Sequence, residues 1–498
     1  MISAWALIIL AAFVGYFIIG IIAGYIAKLR TGRGLYEFYI AGGTLSALLV
    51  GVGYMSAYME AWEFVGMPAV IASEGFEWWL IEMIFYLSYV ALFYMVGLRL
   101  FRIGKIHKTI TPVDFIVFRA GGFERILRLV LGILITYATI VYVGMIYIPA
   151  AGVITAMSYG ELSYHLLLVL YTVFMVIYII LGGMRAVAYN DLIAGATFIV
   201  AFIAMIYAVN IHWGGFGDLA WKAFSSAPER FERTLPIQYF LTMLFFYGIS
   251  WLFIPHLIVR FFAAKDYKGV ILGGMGAITG FFLGAFLSPL FLGLSILAQY
   301  GTNLPEVTVV EEYPAMMFLS WFGTSPLIIL IILGLVAIAR STIDALLLLT
   351  SSIIDRDILE RTLRIKVSER TREIITRVIV TIIGILGIIV ALNPEAPMVI
   401  IGYELAWPAY AVVAFPALLI LFWRRANKYG ILTGYLVGLS SLILFTYVIW
   451  PEPPHNPFGV WEGTLPSVLA LATTVVVSLL TPPPPREHVE WFYGDKLR

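Results

Sequence analysis

The sequence contains no cysteine. A disulfide framework, a thiolate metal site and a thiol nucleophile are therefore excluded. Charge is also scarce: Asp, Glu, Lys and Arg make up 12% of the 498 residues, about half the roughly 25% of an ordinary soluble domain. A net charge of +1 gives no reason to expect nucleic acid or another polyanion as a partner. The six histidines (His107, His165, His212, His256, His455 and His488) are scattered, and none stands at metal-ligand spacing. Long polar stretches are missing too. The largest, around 355–370, reads as a charged linker, and the tail after prolines 482–485 is too short to fold alone. No fused catalytic module is expected, and no constellation of residues suggests an enzyme.

What is present is apolar. Hydrophobic residues make up 61% of the chain and the mean hydropathy is +0.96, the composition of an all-α polytopic membrane protein. A helix needs about 20 apolar residues to cross a bilayer. Thirteen segments meet that need: 4–27, 44–70, 77–98, 126–156, 161–182, 188–211, 236–262, 269–299, 326–354, 371–391, 397–423, 429–450 and 464–481. The first begins almost at the N-terminus with no small-residue cleavage site after it, so it reads as a retained span. Lys and Arg collect in cytoplasmic loops. With the N-terminus outside and the C-terminus cytoplasmic, alternate loops hold every basic residue except Lys222, Arg230, Arg233 and Arg340. This predicts thirteen transmembrane helices in the plasma membrane.

Two spans read as broken helices. In 44–70, Gly51, Gly53, Gly66 and Pro68 flank a polar centre of Ser56, Tyr58, Glu60 and Glu63; in 236–262, Gly248 and Pro255 interrupt the run. Backbone groups released inside a membrane need a new partner, such as an ion or a substrate. Paired broken spans in two halves point to an inverted-repeat transporter. Tyr247, Trp251 and Pro255 follow at i, i+4 and i+8, on one helix face; such a stripe is either packing or the wall of a substrate cavity.

The stretch 334–357 places Arg340, Ser341, Thr342 and Asp344 at mid-membrane depth, where charge is costly and marks a functional site by default. Two adjacent hydroxyls with carbonyls from a broken helix suit a monovalent cation, whereas calcium and magnesium favour carboxylates. Back-bonding of the hydroxyls to their own helix is the alternative. Arg340 and Asp344 form an internal ion pair, or else Asp344 helps hold a cation or proton while Arg340 meets a substrate carboxylate, Glu60 or Glu63. Asp191 is a further carboxylate able to reach this region, or a helix cap.

Six stretches carry a family resemblance: EFYIAGGTLS (37–46), SAYMEAWEFVGMP (56–68), GGMRAVAYND (182–191), PHLIVRFFAAKD (255–266), ARSTIDALLLLTSSIIDRDI (339–358) and FWRRANKYGILTGYLVG (422–438). With them the chain resembles the sodium/solute symporter family, nearest to its proline and pantothenate branch. The resemblance implies a LeuT-type core of ten helices in two inverted repeats, 44–211 and 236–423. An extra helix would precede it in 1–30, two would follow in 429–481, and 482–498 would form a cytoplasmic tail. It implies a sodium site made by the carbonyls of Ser56, Met59 and Ile338 with the hydroxyls of Ser341 and Thr342. A second cation or proton site would involve Asp191 and Ser341, with Asp344 and Ala345 where the family pattern has hydroxyls. The substrate wall would be Tyr247, Trp251 and Pro255, the two aromatics exchanged relative to the family, joined by Glu60, Glu63 and Arg340. Tyr58 stands where the branch has an aspartate. The expected function is sodium-coupled import of a small organic solute, an amino acid such as proline or a small carboxylate. A proton-coupled or sodium-independent exchanger, or a membrane-embedded solute sensor, is the alternative.

Overall fold

The computed structural model describes residues 2–32, 34–307, 309–392 and 397–494. Met1 and the last four residues of the expected tail, with Lys496 and Arg498, lie outside them. The long apolar runs are helical, as a backbone without water to bond requires. The main elements are α1 (Ala4–Arg30), α2 (Ala47–Ala57), α3 (Met67–Ser73), α4 (Glu77–His107), α5 (Glu124–Met157), α6 (Tyr164–Trp213) and α7 (Pro255–Ala263). They continue with α8 (Tyr267–Gly280), α9 (Ser288–Tyr300), α10 (Pro326–Ser352), α11 (Glu369–Ala391), α12 (Trp407–Phe422), α13 (Lys428–Leu444) and α14 (Thr464–Leu480). Side-chain caps start several of them: Ser3 Oγ accepts from the Ala6 N–H at 3.2 Å, and the Asn427 amide oxygen accepts from Tyr429 and Gly430. Among the described residues, nine helical stretches are long and apolar enough to cross a membrane. Of the other expected segments, 464–481 is a 17-residue helix, 44–70 is interrupted, and 77–98 lies within the 31 residues of α4.

One of the nine folds back on itself. An unbroken helix of 50 residues would be about 75 Å long, far beyond the roughly 30 Å of a hydrocarbon core. At Gly183 the backbone takes φ 53°, ψ −140°, which glycine tolerates. A Cβ there would lie 2.3 Å from the Phe38 carbonyl oxygen. On one side of this kink Tyr171 donates to the Val336 carbonyl at 3.0 Å. On the other, Ala201 packs so closely that a Cβ on Gly334 would fall 2.2 Å from its own. Residues 171 and 201 touch the same turn of α10, so α6 is a hairpin of two helices, split between the expected segments 161–182 and 188–211.

The two spans read as broken are broken. α2 stops at Ala57, and the chain resumes in a π turn, Trp62–Gly66, before α3. Ile254 is extended (φ −71°, ψ 123°), and Pro255 opens α7. The two interruptions meet: the rings of Tyr58 and Trp251 lie 5.9 Å apart. α8 makes that meeting possible by presenting glycine to α2. A Cβ on Gly276 would stand 1.9 Å from the Gly51 carbonyl oxygen, and one on Gly280 would stand 2.4 Å from that of Met55. Small residues let membrane helices approach to backbone contact.

The basic end of the bundle departs from expectation. Residues 355–370 do not begin as a linker: a π-type helix, Ile353–Thr362, extends α10 and buries Asp355 and Asp357. Arg128 is gripped by Asp357, by Asp114 at 2.9 Å and by Glu124 at 2.9 Å, while Arg356 pairs with Asp114 at 3.2 Å. Asp355 accepts from Tyr39 at 3.1 Å and from Arg372 at 3.0 Å. Arg119, Arg128 and Arg260, counted with the loop charges, are buried. A carboxylate held by two guanidiniums offsets the desolvation that would otherwise exclude it.

Candidate functional site

Asp191 is the hub of a buried polar cluster between α2, α6, α7 and α10. Its Oδ1 accepts from the Ser341 hydroxyl at 2.6 Å, and its Oδ2 pairs with Arg260 Nη1 at 2.6 Å. Its backbone carbonyl accepts from the Ser56 hydroxyl at 2.9 Å. Ser56 and Ser341 are thereby brought together through one residue. Thr342 is beside them in sequence, and its hydroxyl is buried with no partner among the described residues. A hydroxyl oxygen has two acceptor lone pairs, and a hard cation is one partner that could take them. Ser56 closes the last turn of α2 and Met59 lies in the break, where the helical ladder is interrupted; Ile338 lies one turn before Thr342 on α10. Hard oxygen donors, few of them charged, fit a sodium-sized ion. Among the described residues no group of three or more His, Asp or Glu could hold a metal ion.

Arg340 is not part of this cluster's face. Its guanidinium lies over the Tyr16 ring at 4.5 Å and the Tyr178 ring at 5.6 Å, and it donates to the Asn190 carbonyl at 3.0 Å. Gly20 makes room for it: a Cβ there would be 2.7 Å from Nη1. Asp344 accepts from the Tyr178 hydroxyl at 2.6 Å. Among the described residues no ion pair within 4.0 Å joins Arg340 to Asp344, Glu60 or Glu63. Arg340 therefore turns toward α1, away from the two broken spans.

Glu60 and Glu63 are linked through aromatic rings to Tyr247 and Trp251 in a buried cluster. Tyr142 donates to Glu60 and Tyr86 to Glu63; Glu82, from α4, accepts from Trp62 and, at 3.0 Å, from Tyr403. Trp407 lies 4.7 Å from Tyr142 and 5.1 Å from Trp251, and Tyr247 lies 5.0 Å from Tyr403. Pro255 begins α7, which puts His256 5.7 Å from the Tyr142 ring. Trp461, from the loop after α13, donates to the Tyr403 carbonyl at 3.0 Å and sits 5.9 Å from Tyr247.

Glu82 and Arg260 were missed in the sequence. Glu82 is the one carboxylate inside the apolar run after Trp79, and the rule that singles out Arg340 applies to it equally. Arg260 follows Pro255 within a recognised motif, but its nearness to a basic loop hid it. Tyr142, Tyr403 and Trp407 carry no local signal, because aromatic residues are frequent throughout this chain.

The residue pattern of the sodium:solute symporter family matches residues 38–438. The high-affinity proline transporter PutP of Bacillus subtilis (strain 168) is 27% identical over 491 residues, covering 96% of this chain and 99% of its own length. A sodium/proline symporter of Staphylococcus aureus (strain NCTC 8325 / PS 47) is 24% identical, covering 94% and 92%. Among solved structures, a Na+-coupled sialic acid symporter in a substrate-bound outward-open state superposes with a TM-score of 0.76 over 96% of this chain and 99% of that one. At 17% identity, this likeness is one of fold.

Proposed function

The chain belongs to the sodium:solute symporter family, and from that premise we propose that it imports a small amine-bearing solute with sodium by alternating access. It is a multi-pass membrane transporter, not an enzyme, and sodium is the coupling ion. The proposed architecture is thirteen spans, with the hairpin of α6 counted as two. Residues 44–211 and 236–423 form a five-plus-five inverted repeat, 1–30 precedes it, 429–481 follows, and 482–498 is a tail. The basic loops are assigned to the cytoplasm, which puts the N-terminus outside.

The observation that carries the reading is the link Ser341–Asp191–Ser56, which joins α10 to the end of the broken α2. Sodium bound by the hydroxyls of Ser341 and Thr342 and the carbonyls of Ser56, Met59 and Ile338 would tie the same two elements. Holding the break of α2 in place positions the polar residues Glu60 and Glu63 beside it, so sodium raises solute affinity and solute raises sodium affinity by the same factor. Inward movement of sodium's charge contributes about 2.3 kcal/mol per 100 mV. The second cation site takes an altered form: the Arg260 guanidinium supplies fixed positive charge beside Asp191, and Asp344 accepts a hydrogen bond from the Tyr178 hydroxyl. One sodium per cycle follows. Of the two solute classes expected, the amino-acid class is the one that the proline-transporting relatives are named for.

Uptake into proteoliposomes at graded sodium tests this. Ser341→Ala and Thr342→Ala each raise the sodium concentration for half-maximal uptake by about tenfold or more, roughly one lost ligand at about 1.4 kcal/mol per factor of ten. A Hill coefficient near 1 for sodium is expected. Unchanged sodium dependence in both variants contradicts the site, and uptake driven by a pH gradient alone would support proton coupling instead.

A further inference from the structure

At the basic end of the bundle, a cavity of about 480 Å³ opens between the last turn of α1, the turn of α6 before its kink and the first turns of α11. That volume lies within the roughly 300–1,000 Å³ of small-ligand sites. α6 packs closely on both neighbours. A Cβ on Gly24 of α1 would lie 3.1 Å from that of Tyr178, and one on Gly384 of α11 would lie 3.0 Å from Thr172 Cγ2.

The cavity has two kinds of wall. Lys28, Arg372 and Arg377 supply positive charge, against the single carboxylate of Glu373. Arg372 is already matched, by Asp355 at 3.0 Å and Glu360 at 3.2 Å. Arg377 approaches Glu373 only to 3.9 Å, and both side chains are largely in solvent, where such a pair is worth little. Lys28 is exposed and enters no ion pair among the described residues. Two cations at the mouth are therefore free to meet an anion. The other wall is apolar: Phe38, Ile180 and Leu181 line the cavity and are only partly buried.

This apolar wall continues out of the cavity along α6. Leu166, Val169, Val173 and Ile177 are exposed and recur three or four residues apart, so they share one helix face. The next step of that spacing is Ile180, inside the cavity. An exposed apolar face is ordinary where lipid is the solvent; this one runs into a cationic mouth.

We propose that the cavity binds an anionic phospholipid, with its phosphate at Lys28 and Arg377 and an acyl chain laid from Ile180 along the exposed face of α6. A free phosphate would leave the apolar wall uncovered, and a neutral lipid would leave the two cations unanswered. An anionic lipid satisfies both. Basic pockets between spans, next to an anionic leaflet, have the electrostatics for such headgroups. Bound there, the lipid bridges α1 and α11, which both pack on α6, and Arg372 connects that bridge to the helical extension of α10 through Asp355 and Glu360.

The test is native mass spectrometry of the delipidated full chain in neutral detergent, titrated with phosphatidylglycerol, phosphatidylcholine or glycerol 1-phosphate, with melting temperature read in parallel. Phosphatidylglycerol should be retained at one copy per chain and raise the melting temperature, whereas the other two should do neither. Lys28→Gln together with Arg377→Gln should lower the affinity for phosphatidylglycerol about tenfold or more, the scale for two basic residues at an anionic surface. Without lipid this variant should melt with the unaltered protein, because both side chains are exposed. Lys265→Gln together with Lys268→Gln, an exposed pair elsewhere among the basic loops, should leave the affinity unchanged. Equal retention of phosphatidylcholine overturns the proposal. So does equal stabilisation by glycerol 1-phosphate, which would make the cavity a site for free anions. An equal loss of affinity in the two double variants also overturns it, and assigns the lipid to the general charge of the surface.

Discussion

Arg340 is fully buried, and among the described residues it has no ion pair; its neighbours explain how it carries its charge. Two aromatic faces and one backbone carbonyl hold the guanidinium, and glycine at position 20 leaves the space. The planar, weakly hydrated guanidinium is the cationic group suited to such a stack. Arg340 therefore ties α1 and α6 to α10 and is a positioning residue. Arg340→Met lowers stability by about 1–3 kcal/mol, the scale of a desolvated cation–π contact with a charged hydrogen bond, read as a fall in melting temperature. The solute KM stays within about twofold. A tenfold rise in KM with unchanged melting temperature would return Arg340 to the solute site. The sequence made Arg340 conspicuous, but which way it faces was not legible. Its partners Tyr16 and Asn190 are 324 and 150 positions distant in the chain, and helical spacing speaks only for neighbours three or four residues away.

At the scale of elements, the broken helices were legible because Gly and Pro mark them locally. The folding-back of α6 was readable as two apolar segments, with the glycine pair 182–183 between them. The helical extension over 353–362 was not legible: its charges resemble a linker until Arg128 and Arg372 arrive from other helices to match them. The loops at the other end are also built into the molecule. Glu311, between α9 and α10, accepts from the Met398 N–H at 2.6 Å, and burial pushes its carboxyl up to about 7. Glu462, before α14, accepts from the Tyr239 hydroxyl at 2.9 Å, and burial pushes it up to about 8. Both folded-state values lie above the unfolded value of 4.5. The neutral form is thus favoured in the folded protein, and this contribution is complete below about pH 4.5 and lost as pH rises through 7 and 8. Melting temperature in detergent should fall by about 5 °C between pH 5 and 8.5. Glu311→Gln together with Glu462→Gln should flatten that slope; an unaltered slope would place the titrating groups elsewhere.

At the scale of the molecule, hydropathy alone made the helical, multi-pass class legible, because lipid admits so few alternatives. The candidate site was legible in part. Ser341, Thr342, Glu60 and Glu63 announce themselves by being polar in apolar helices. That Asp191 links the two halves, with Arg260 as its counter-ion, depends on tertiary packing that no local pattern encodes. The proposed sodium ligands lie at one edge of a broken helix and the carboxyl groups of Glu60 and Glu63, set among aromatic rings, at the other, so whatever fixes α2 acts on both. Coupling is the central claim, and accumulation measures it most directly. In proteoliposomes with an inward sodium gradient, a labelled transported solute should reach a concentration inside well above that outside. The excess should vanish when a sodium ionophore dissipates the gradient and persist when a proton ionophore is added. Accumulation that survives the loss of the sodium gradient, or collapses only with the proton ionophore, would contradict the account.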